Sequence, residues 1–287
     1  MRFPGASVLD AASGRWSHTF RQSDVGTFRH CPEQFRLKQT TYYTDLPGRS
    51  TLLGTAVHAA IETAIRWAVA HDLPTVEESA DLAVAELNLL LERHEARPDI
   101  PLGTAQTMAR DIVTRWHDLV VPELDWNAEM LVEHQFHRTL WEDEYRTIAI
   151  QGTIDLVNGG AIWDWKTGAR IPRSNAVASG RETVQHVVYS AAMAEDVTRP
   201  THTFRYCYLP RTGGFQVTEV ASTSMDVALL VRELLGMAHL AEATPETYPL
   251  RPTDWWCSDR YCPVWQDCRG SVTVADLYPR TRENSSE

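Results

Sequence analysis

Apolar residues recur at the spacing of an amphipathic helix in several parts of the chain. In residues 52–70 they fall at every third or fourth position, and the same period returns before and after this stretch. Ser23 and Asp24 can cap the first helical stretch, which we expect to be mostly helical from residue 17 onward. The predicted helices cover residues 17–37, 52–70, 76–97, 104–124, 183–194 and 225–240.

Strand patterns occupy the centre and the later part of the chain. One stretch alternates between apolar and polar side chains, and two pairs of apolar runs are joined by short segments rich in glycine. The predicted strands cover residues 131–140, 148–157, 161–165, 203–209 and 215–220. Strands mixed with helices predict the α/β class, with a mixed sheet flanked by helices. We expect one domain over residues 1–287, with a helical insertion at about residues 72–128.

The first predicted hairpin brings three ionisable side chains together. Its turn contains Gly159 and Gly160, and paired glycines supply the positive φ that a two-residue primed turn needs. Counting back from this turn, Asp155 faces Asp164 directly across the ladder. Lys166 lies on the same face as Asp164, because side chains alternate along a strand. Two carboxylates and an ammonium group therefore converge on one patch.

Directly opposed carboxylates repel each other, so this arrangement does not serve stability. A divalent cation removes the conflict, since Mg²⁺ binds one or two protein carboxylates and leaves its other positions to water and phosphate. Lys166 can then orient an attacking water and offset charge on a phosphoryl transition state. A solvated hairpin with a cross-strand Asp/Lys pair is the alternative interpretation.

Composition and charge bear on the partner. The chain has 287 residues and 43% hydrophobic content, enough for a large core. It has no apolar run near the ~20 residues of a membrane span and no signal-peptide core at its start, so we expect a cytoplasmic protein. The formal net charge of −11 argues against nucleic acid. However, residues 51–159 hold 19 acidic side chains against 7 basic ones, whereas residues 15–50 and 160–215 are each net +3, which permits phosphate binding.

The five cysteines have an uneven distribution. Three of them, Cys257, Cys262 and Cys268, lie in a cysteine-rich segment at about residues 254–270, ahead of a polar tail at 279–287. Cys31 lies more than two hundred positions upstream. A cytosolic chain does not use such residues for structural disulfides. Four cysteines can hold zinc or a 4Fe–4S cluster, and spacing alone decides poorly between them. Cys207, inside a predicted strand, is interpreted as a packed core thiol.

Asp155 followed by Asp164-Trp165-Lys166-Thr167-Gly168 resembles the signature of the PD-(D/E)XK nuclease superfamily, in the RecB-like branch whose motif ends in D-x-K-T-G. Three further features are similar to that branch: His58 in a G-x-x-x-H pattern, Gln185 with Tyr189 in a Q-x-x-x-Y pattern, and the split set of four cysteines. The resemblance extends from residue 31 to residue 268, which is most of the chain.

The resemblance implies a restriction-endonuclease-like fold and a role for each matching residue. Asp155, Asp164 and His58 would hold Mg²⁺ or Mn²⁺, and Lys166 would place the nucleophilic water. Gln185 and Tyr189 would lie near the DNA and the lysine, and Glu133 matches a glutamate that many relatives carry on the strand before the hairpin. Taken alone, Glu133 is equally well an exposed strand residue. The four cysteines resemble the iron–sulfur staple of AddB-type and CRISPR-associated RecB-like nucleases, with zinc as the alternative.

A loop after the hairpin carries Arg170, Arg173 and Arg181 among small and turn-forming residues, and such a loop beside the site can bind phosphates. The function predicted from the resemblance is metal-dependent hydrolysis of DNA, exonucleolytic on single-stranded ends, in recombination, repair or phage DNA metabolism. The alternatives are a catalytically idle DNA-binding subunit of a helicase complex and a structure-specific flap or fork endonuclease. A helicase or recombination partner and a homo-oligomer are both compatible with the sequence, which has no helicase P-loop of its own.

Overall fold

The structure is a computed structural model that describes residues 6–40, 46–169, 171, 183–196, 202–244, 247–250, 257–259 and 261–269. Its strands are β1 (Ala6–Leu9), β2 (Trp16–Arg21), β3 (Met130–Glu142), β4 (Arg146–Asn158), β5 (Ala161–Lys166), β6 (Thr203–Tyr208) and β7 (Gln216–Ala221). Its helices are α1 (Gln22–His30), α2 (Pro32–Thr40), α3 (Arg49–Ala70), α4 (Val76–Arg93), α5 (Leu102–Leu119), α6 (Thr183–Met193), α7 (Ser224–Ala243) and α8 (Trp265–Arg269).

Within the described residues, the seven strands form one mixed sheet, which confirms the predicted α/β class. The neighbours in the sheet follow the order β1-β2-β4-β5-β6-β7, and β3 also pairs with β4. The pairs β4/β5 and β6/β7 are antiparallel, whereas β5 and β6 are parallel. The parallel pair is joined through α6, because parallel strands need a crossover connection. The carboxyl ends of β5 and β6 therefore lie at the same edge of the sheet.

The first hairpin has the predicted two-residue turn. Asn158 pairs with Ala161, and the two glycines between them have φ of 58° and 78°, as a primed turn requires. The buried side chain of Asn158 supports the turn, because it accepts a hydrogen bond from the Asp125 N–H and donates one to the Asp125 carbonyl, each at 2.8 Å. A hairpin with so short a loop has one register, and its ladder ends at Leu156 and Trp163, the residues next to Asp155 and Asp164.

The chain divides into two compact units, and the larger one comprises Leu46–Leu140 and Ile150–Arg232. The core of this unit consists of α3, α4 and α5 packed with Trp163 and Trp165 of β5. Trp116 of α5 meets Trp165 edge to face, with ring centroids 6.5 Å apart. These contacts bury one face of the hairpin, as the sequence predicts. None of the helices in the described part of the chain combines the length and apolar character that a bilayer crossing requires.

The residues predicted to form a helical insertion contain α4 and α5, and both helices are shorter than expected. Thr75 and Glu78 form a capping box that begins α4, and α4 ends at Arg93 rather than at residue 97. Helix α5 ends at Leu119 and is followed by a 3₁₀ turn over Val121–Glu123. The apolar side chains that extended the predicted helix to residue 124 belong instead to this turn and its flanks.

The smaller unit comprises Met1–Asp45, Trp141–Ala149 and Glu233–Glu287, and it contains the largest error of the sequence analysis. Residues 17–21, expected to be helical, belong to strand β2. The rings of Trp16, His18 and Phe20 stack along one side of the strand, with successive centroids 5.6 and 6.2 Å apart. His18 is fully buried because Ser7 and Glu242 satisfy its two ring nitrogens at 2.8 and 2.9 Å. Because the buried position 18 holds a polar histidine, the sequence does not show the alternation of apolar and polar residues that predicts a strand.

Candidate active site

The carboxylate of Asp155 is held by the backbone of the neighbouring strand. The side chain lies near the end of β4, and its Oδ2 atom accepts a hydrogen bond of 2.8 Å from the N–H of Trp165 in β5. The side chain of Asp155 is only 14% exposed. The hairpin therefore fixes this carboxylate independently of any ligand.

Asp164, Lys166 and Gln185 form a closed triangle of polar contacts. The Nζ atom of Lys166 lies 2.6 Å from Oδ2 of Asp164 and donates a 2.7 Å hydrogen bond to Oε1 of Gln185. The Nε2 atom of Gln185 in turn donates to Oδ1 of Asp164. Because the amide must accept from a lysine and donate to a carboxylate, only one of its two orientations satisfies both partners.

Tyr189 extends this triangle towards the core. It lies one turn after Gln185 on α6, forms a hydrogen bond with the Gln185 side chain, and has its pKa raised chiefly by burial. Its ring packs edge to face on Phe136, with centroids 5.6 Å apart. Gly152 makes room for this pair, since a Cβ at that position would lie 3.0 Å from the Phe136 ring. Tyr189 thus keeps its proton and holds Gln185 in place.

The two carboxylates create an electrostatic conflict at the site. Burial, followed by the charge of Asp164, raises the pKa of Asp155 well above its ordinary value. Asp164 is 3% exposed and has the Lys166 ammonium beside it. A divalent cation between the carboxylates would restore the charged form of Asp155. The described residues contain no set of three or more His, Cys, Asp or Glu side chains arranged as a metal site. Mg²⁺ commonly binds one or two protein carboxylates and leaves its other positions to water and phosphate, and Asp155 and Asp164 supply two carboxylates.

His58 lies at the rim of the same site. Its Nδ1 atom is 3.5 Å from Oδ2 of Asp155, and its side chain is 31% exposed. Burial lowers its pKa, so the imidazole is neutral at neutral pH and has a lone pair available for a metal. The glycine one turn earlier explains how α3 approaches so closely: a Cβ on Gly54 would lie 2.8 Å from Oγ1 of Thr167.

Glu133 has an unusual backbone. It is the only non-glycine residue with positive φ in the described chain, at 48°, and it interrupts the regular geometry of β3. Arg66 supports this distortion, since its guanidinium donates to the carbonyl of Val132 at 2.9 Å and pairs with Glu62 at 2.8 Å. Burial and the charge of Glu62 raise the pKa of Glu133. Glu133 lines the same cleft as Asp155.

A cleft of about 660 Å³ is shared by His58, Glu133 and Asp155. It is lined by Ser50, Thr51, Gly54, Thr55, His58, Ala59, Glu62, Glu133, Asp155, Thr167, Gly168 and Arg211. The sequence analysis missed Glu62 and Arg211. Glu62 follows His58 by one helical turn, so its spacing was available as a signal, whereas nothing in the sequence links Arg211 to the hairpin.

The remaining predicted residues are three arginines and the cysteines. Arg170, Arg173 and Arg181 fall outside the described residues. The four cysteines of the predicted staple belong to the smaller unit, where α8 packs against α2; they have intermediate burial and form no disulfide. Burial raises the pKa of Cys262, and the neighbouring thiols Cys257 and Cys31 raise it further, so these three lie close together. Cys207 is fully buried in β6, and burial raises its pKa, as for a core thiol.

Comparison with known proteins extends these observations. The family model of the PD-(D/E)XK nuclease superfamily matches residues 19–269. Among solved structures, the chain is similar to a protein from Eubacterium rectale that is provisionally named an exonuclease, with a TM-score of 0.55 and 14% identity over 90% of this chain and 91% of that chain. At this identity the similarity concerns the fold alone. No curated protein matches the chain.

The strain at Glu133 leads to a prediction on stability. Glycine adopts positive φ without the cost of about 1–2 kcal/mol that other residues incur. Glu133→Gly should therefore have a higher free energy of unfolding than Glu133→Ala, by about 1 kcal/mol, although both variants lack the carboxylate. Chemical denaturation of the two variants measures the difference.

Glu219 in β7 provides the control, because its backbone is not in the positive-φ region. There the order should reverse, with Glu219→Gly less stable than Glu219→Ala. Equal stability of the two Glu133 variants would contradict the assignment of backbone strain.

Proposed function

The chain belongs to the PD-(D/E)XK nuclease superfamily, and we propose that it hydrolyses DNA phosphodiester bonds with Mg²⁺ or Mn²⁺, as an exonuclease acting on single-stranded ends. The superfamily predicted from the hairpin motif is confirmed. The RecB-like branch, the metal and the substrate form are part of the proposal. The observation that carries it is the triangle of Asp164, Lys166 and Gln185 next to Asp155, which lines a cleft of about 660 Å³.

Each residue of the site has its own proposed role. Asp155, Asp164 and His58 would hold the cation, which supplies Lewis-acid charge for the scissile phosphate. Two acceptors fix the position of the Lys166 ammonium group. Because its side chain is already ordered, it can hold a water for in-line attack with little further loss of conformational entropy. Gln185 positions both Asp164 and Lys166. Tyr189 positions Gln185, and Glu133 can accept a proton from a water in the cleft.

Exonuclease action on single strands is proposed from the resemblance, together with the exonuclease name of the structural neighbour. We place the activity in recombination, repair or phage DNA metabolism, with a helicase or recombination protein as partner and self-association as a further possibility. The inclusion of both compact units in one folding domain stays a prediction. The catalytically idle alternative is disfavoured because Asp155, Asp164 and Lys166 are all retained.

The catalytic assignment predicts the behaviour of two variants. Lys166→Ala and Asp155→Asn should each lower the cleavage rate by at least about 10²-fold, because positioned charges of this kind typically contribute that much. DNA binding in Ca²⁺ should persist, since the lost interactions act on the transition state. The measurement uses end-labelled single-stranded, double-stranded and forked DNA with Mg²⁺ or Mn²⁺; release of mononucleotides from the ends distinguishes an exonuclease from an endonuclease.

Lys38 is the only other lysine of the chain and is exposed on α2. Lys38→Ala should therefore cleave like the wild type. Wild-type rates in Lys166→Ala, or no cleavage of any substrate by the wild type, would overturn the assignment.

We further propose that Cys31, Cys257, Cys262 and Cys268 hold a structural 4Fe–4S cluster, with zinc as the alternative. The influence of Cys31 and Cys257 on the pKa of Cys262 supports a shared ligand. The described residues do not form a complete set of metal ligands at these cysteines, so binding the ligand would bring the thiols closer together. Joining Cys31 to the C-terminal segment closes a loop of more than two hundred residues. The chain-entropy model of cross-links assigns such a closure about 5 kcal/mol, which is comparable to the net stability of a domain.

This proposal predicts a visible property of the protein. Anaerobically purified wild type should be brown and contain about four iron atoms per chain. Cys262→Ala should be colourless and sensitive to protease, whereas Cys207→Ala, in the core of the other unit, should keep its colour. Iron analysis and the visible spectrum measure this. If the isolated protein contains stoichiometric zinc and no iron, the metal of the four-cysteine site is zinc and not a 4Fe–4S cluster. Normal colour in Cys262→Ala would overturn the four-cysteine site.

A further inference from the structure

Arg211 lies at the edge of the sheet where the catalytic strands end. The parallel ladder of β5 and β6 pairs Lys166 with Tyr208 and then continues beyond both strands. The N–H of Leu209 donates to the Lys166 carbonyl at 2.8 Å, and the N–H of Arg211 donates to the Gly168 carbonyl at 3.1 Å. Since the carboxyl ends of parallel strands are where ligands bind in open α/β sheets, Arg211 occupies a functional position.

The backbone around Arg211 is tightly constrained. The guanidinium of Arg115, on α5, donates to the carbonyl of Pro210. On the other side, a Cβ on Gly214 would lie 3.0 Å from the Ile171 side chain, so the loop passes close to the segment after β5. A side chain presented from such a constrained backbone loses less conformational entropy on binding a ligand.

Two other basic side chains near the cleft are already paired with carboxylates. Lys166 pairs with Asp164, and Arg66 pairs with Glu62. Among the described residues, no side chain forms an ion pair or hydrogen bond with the Arg211 guanidinium, which lines the same cleft as Asp155. A half-buried guanidinium in this position can bind an anion.

We propose that Arg211 binds a backbone phosphate of the nucleic-acid strand that enters the cleft, and so determines the path of that strand past Lys166. The inference rests on the proposed nuclease function. A guanidinium suits this role because its planar fork donates two parallel hydrogen bonds to phosphate oxygens. It also provides the positive charge that a polyanion needs in a cleft that otherwise holds Glu62, Glu133 and Asp155.

The test measures DNA binding separately from cleavage. Fluorescently labelled single-stranded DNA is titrated with the full-length protein in Ca²⁺ at several salt concentrations. Arg211→Gln should weaken binding about tenfold and should reduce the slope of log K against log salt by about 0.7, the value for one phosphate contact on a single strand. In Mg²⁺, the KM for DNA should rise about tenfold with a smaller change in kcat.

Arg110 on α5 provides the matched control, because it pairs with Asp81 and is not among the residues that line the cleft. Arg110→Gln removes the same charge from the same unit and should change neither the affinity nor the slope by as much. Arg211→Lys should recover part of the affinity, and thermal unfolding of each variant verifies folding.

The outcomes separate this inference from the function on which it rests. Wild-type cleavage combined with equal affinity and slope in Arg211→Gln and Arg110→Gln would overturn the role of Arg211 and leave the nuclease standing. DNA binding that depends on Arg211 without cleavage by the wild type would support the phosphate contact and overturn the catalytic proposal. No DNA binding by the wild type would overturn the contact.

Discussion

The close approach of two buried carboxylates is the constraint on which the rest of the site depends. A two-residue turn leaves the hairpin one register, and Asp155 and Asp164 lie directly beyond its last pair, Leu156 and Trp163. Burial then raises the pKa of Asp155 instead of stabilising its charge. Lys166 and Gln185 offset the repulsion at Asp164, whereas the N–H of Trp165 and the charge of Lys166 offset it only in part at Asp155. The Asp155 carboxylate also lines the cleft, where a cation and a phosphate can reach it.

The parallel pairing of β5 with β6 determines which other residues reach this point. The crossover returns α6 over the sheet, so Gln185 and Tyr189 approach Asp164 from above the strand rather than from within it. The same pairing extends the ladder to Arg211, because the N–H groups of Leu209 and Arg211 beyond β6 donate to the carbonyls of Lys166 and Gly168. Lys166 and Arg211 are far apart in sequence, but both lie at the same edge of the sheet.

The parts that sequence predicted well are those with local signals. The turn glycines determine the hairpin register, and helical periodicity located α3, α4, α5, α6 and α7 within a few residues. Strand β2 was missed because the buried positions of a strand normally exclude a histidine, and His18 is satisfied only by partners far along the chain. Arg211 was missed for a related reason, since its place depends on tertiary pairing. Long-range partners leave no periodic signal in a single sequence.

Glu133 shows how the fold accommodates a site that does not favour stability. A regular β3 would continue its alternation through this residue, whereas the left-handed backbone interrupts that alternation at a cost of about 1–2 kcal/mol. Arg66 offsets part of that cost by bonding to the carbonyl just before the distortion, and it is itself held by Glu62 one turn away on α3. Helix α3 therefore contributes twice to the cleft. It carries His58, and one turn later it carries Glu62, which pairs with Arg66 and so supports Glu133. One face of the helix therefore connects the predicted metal ligand His58 to the strained part of β3.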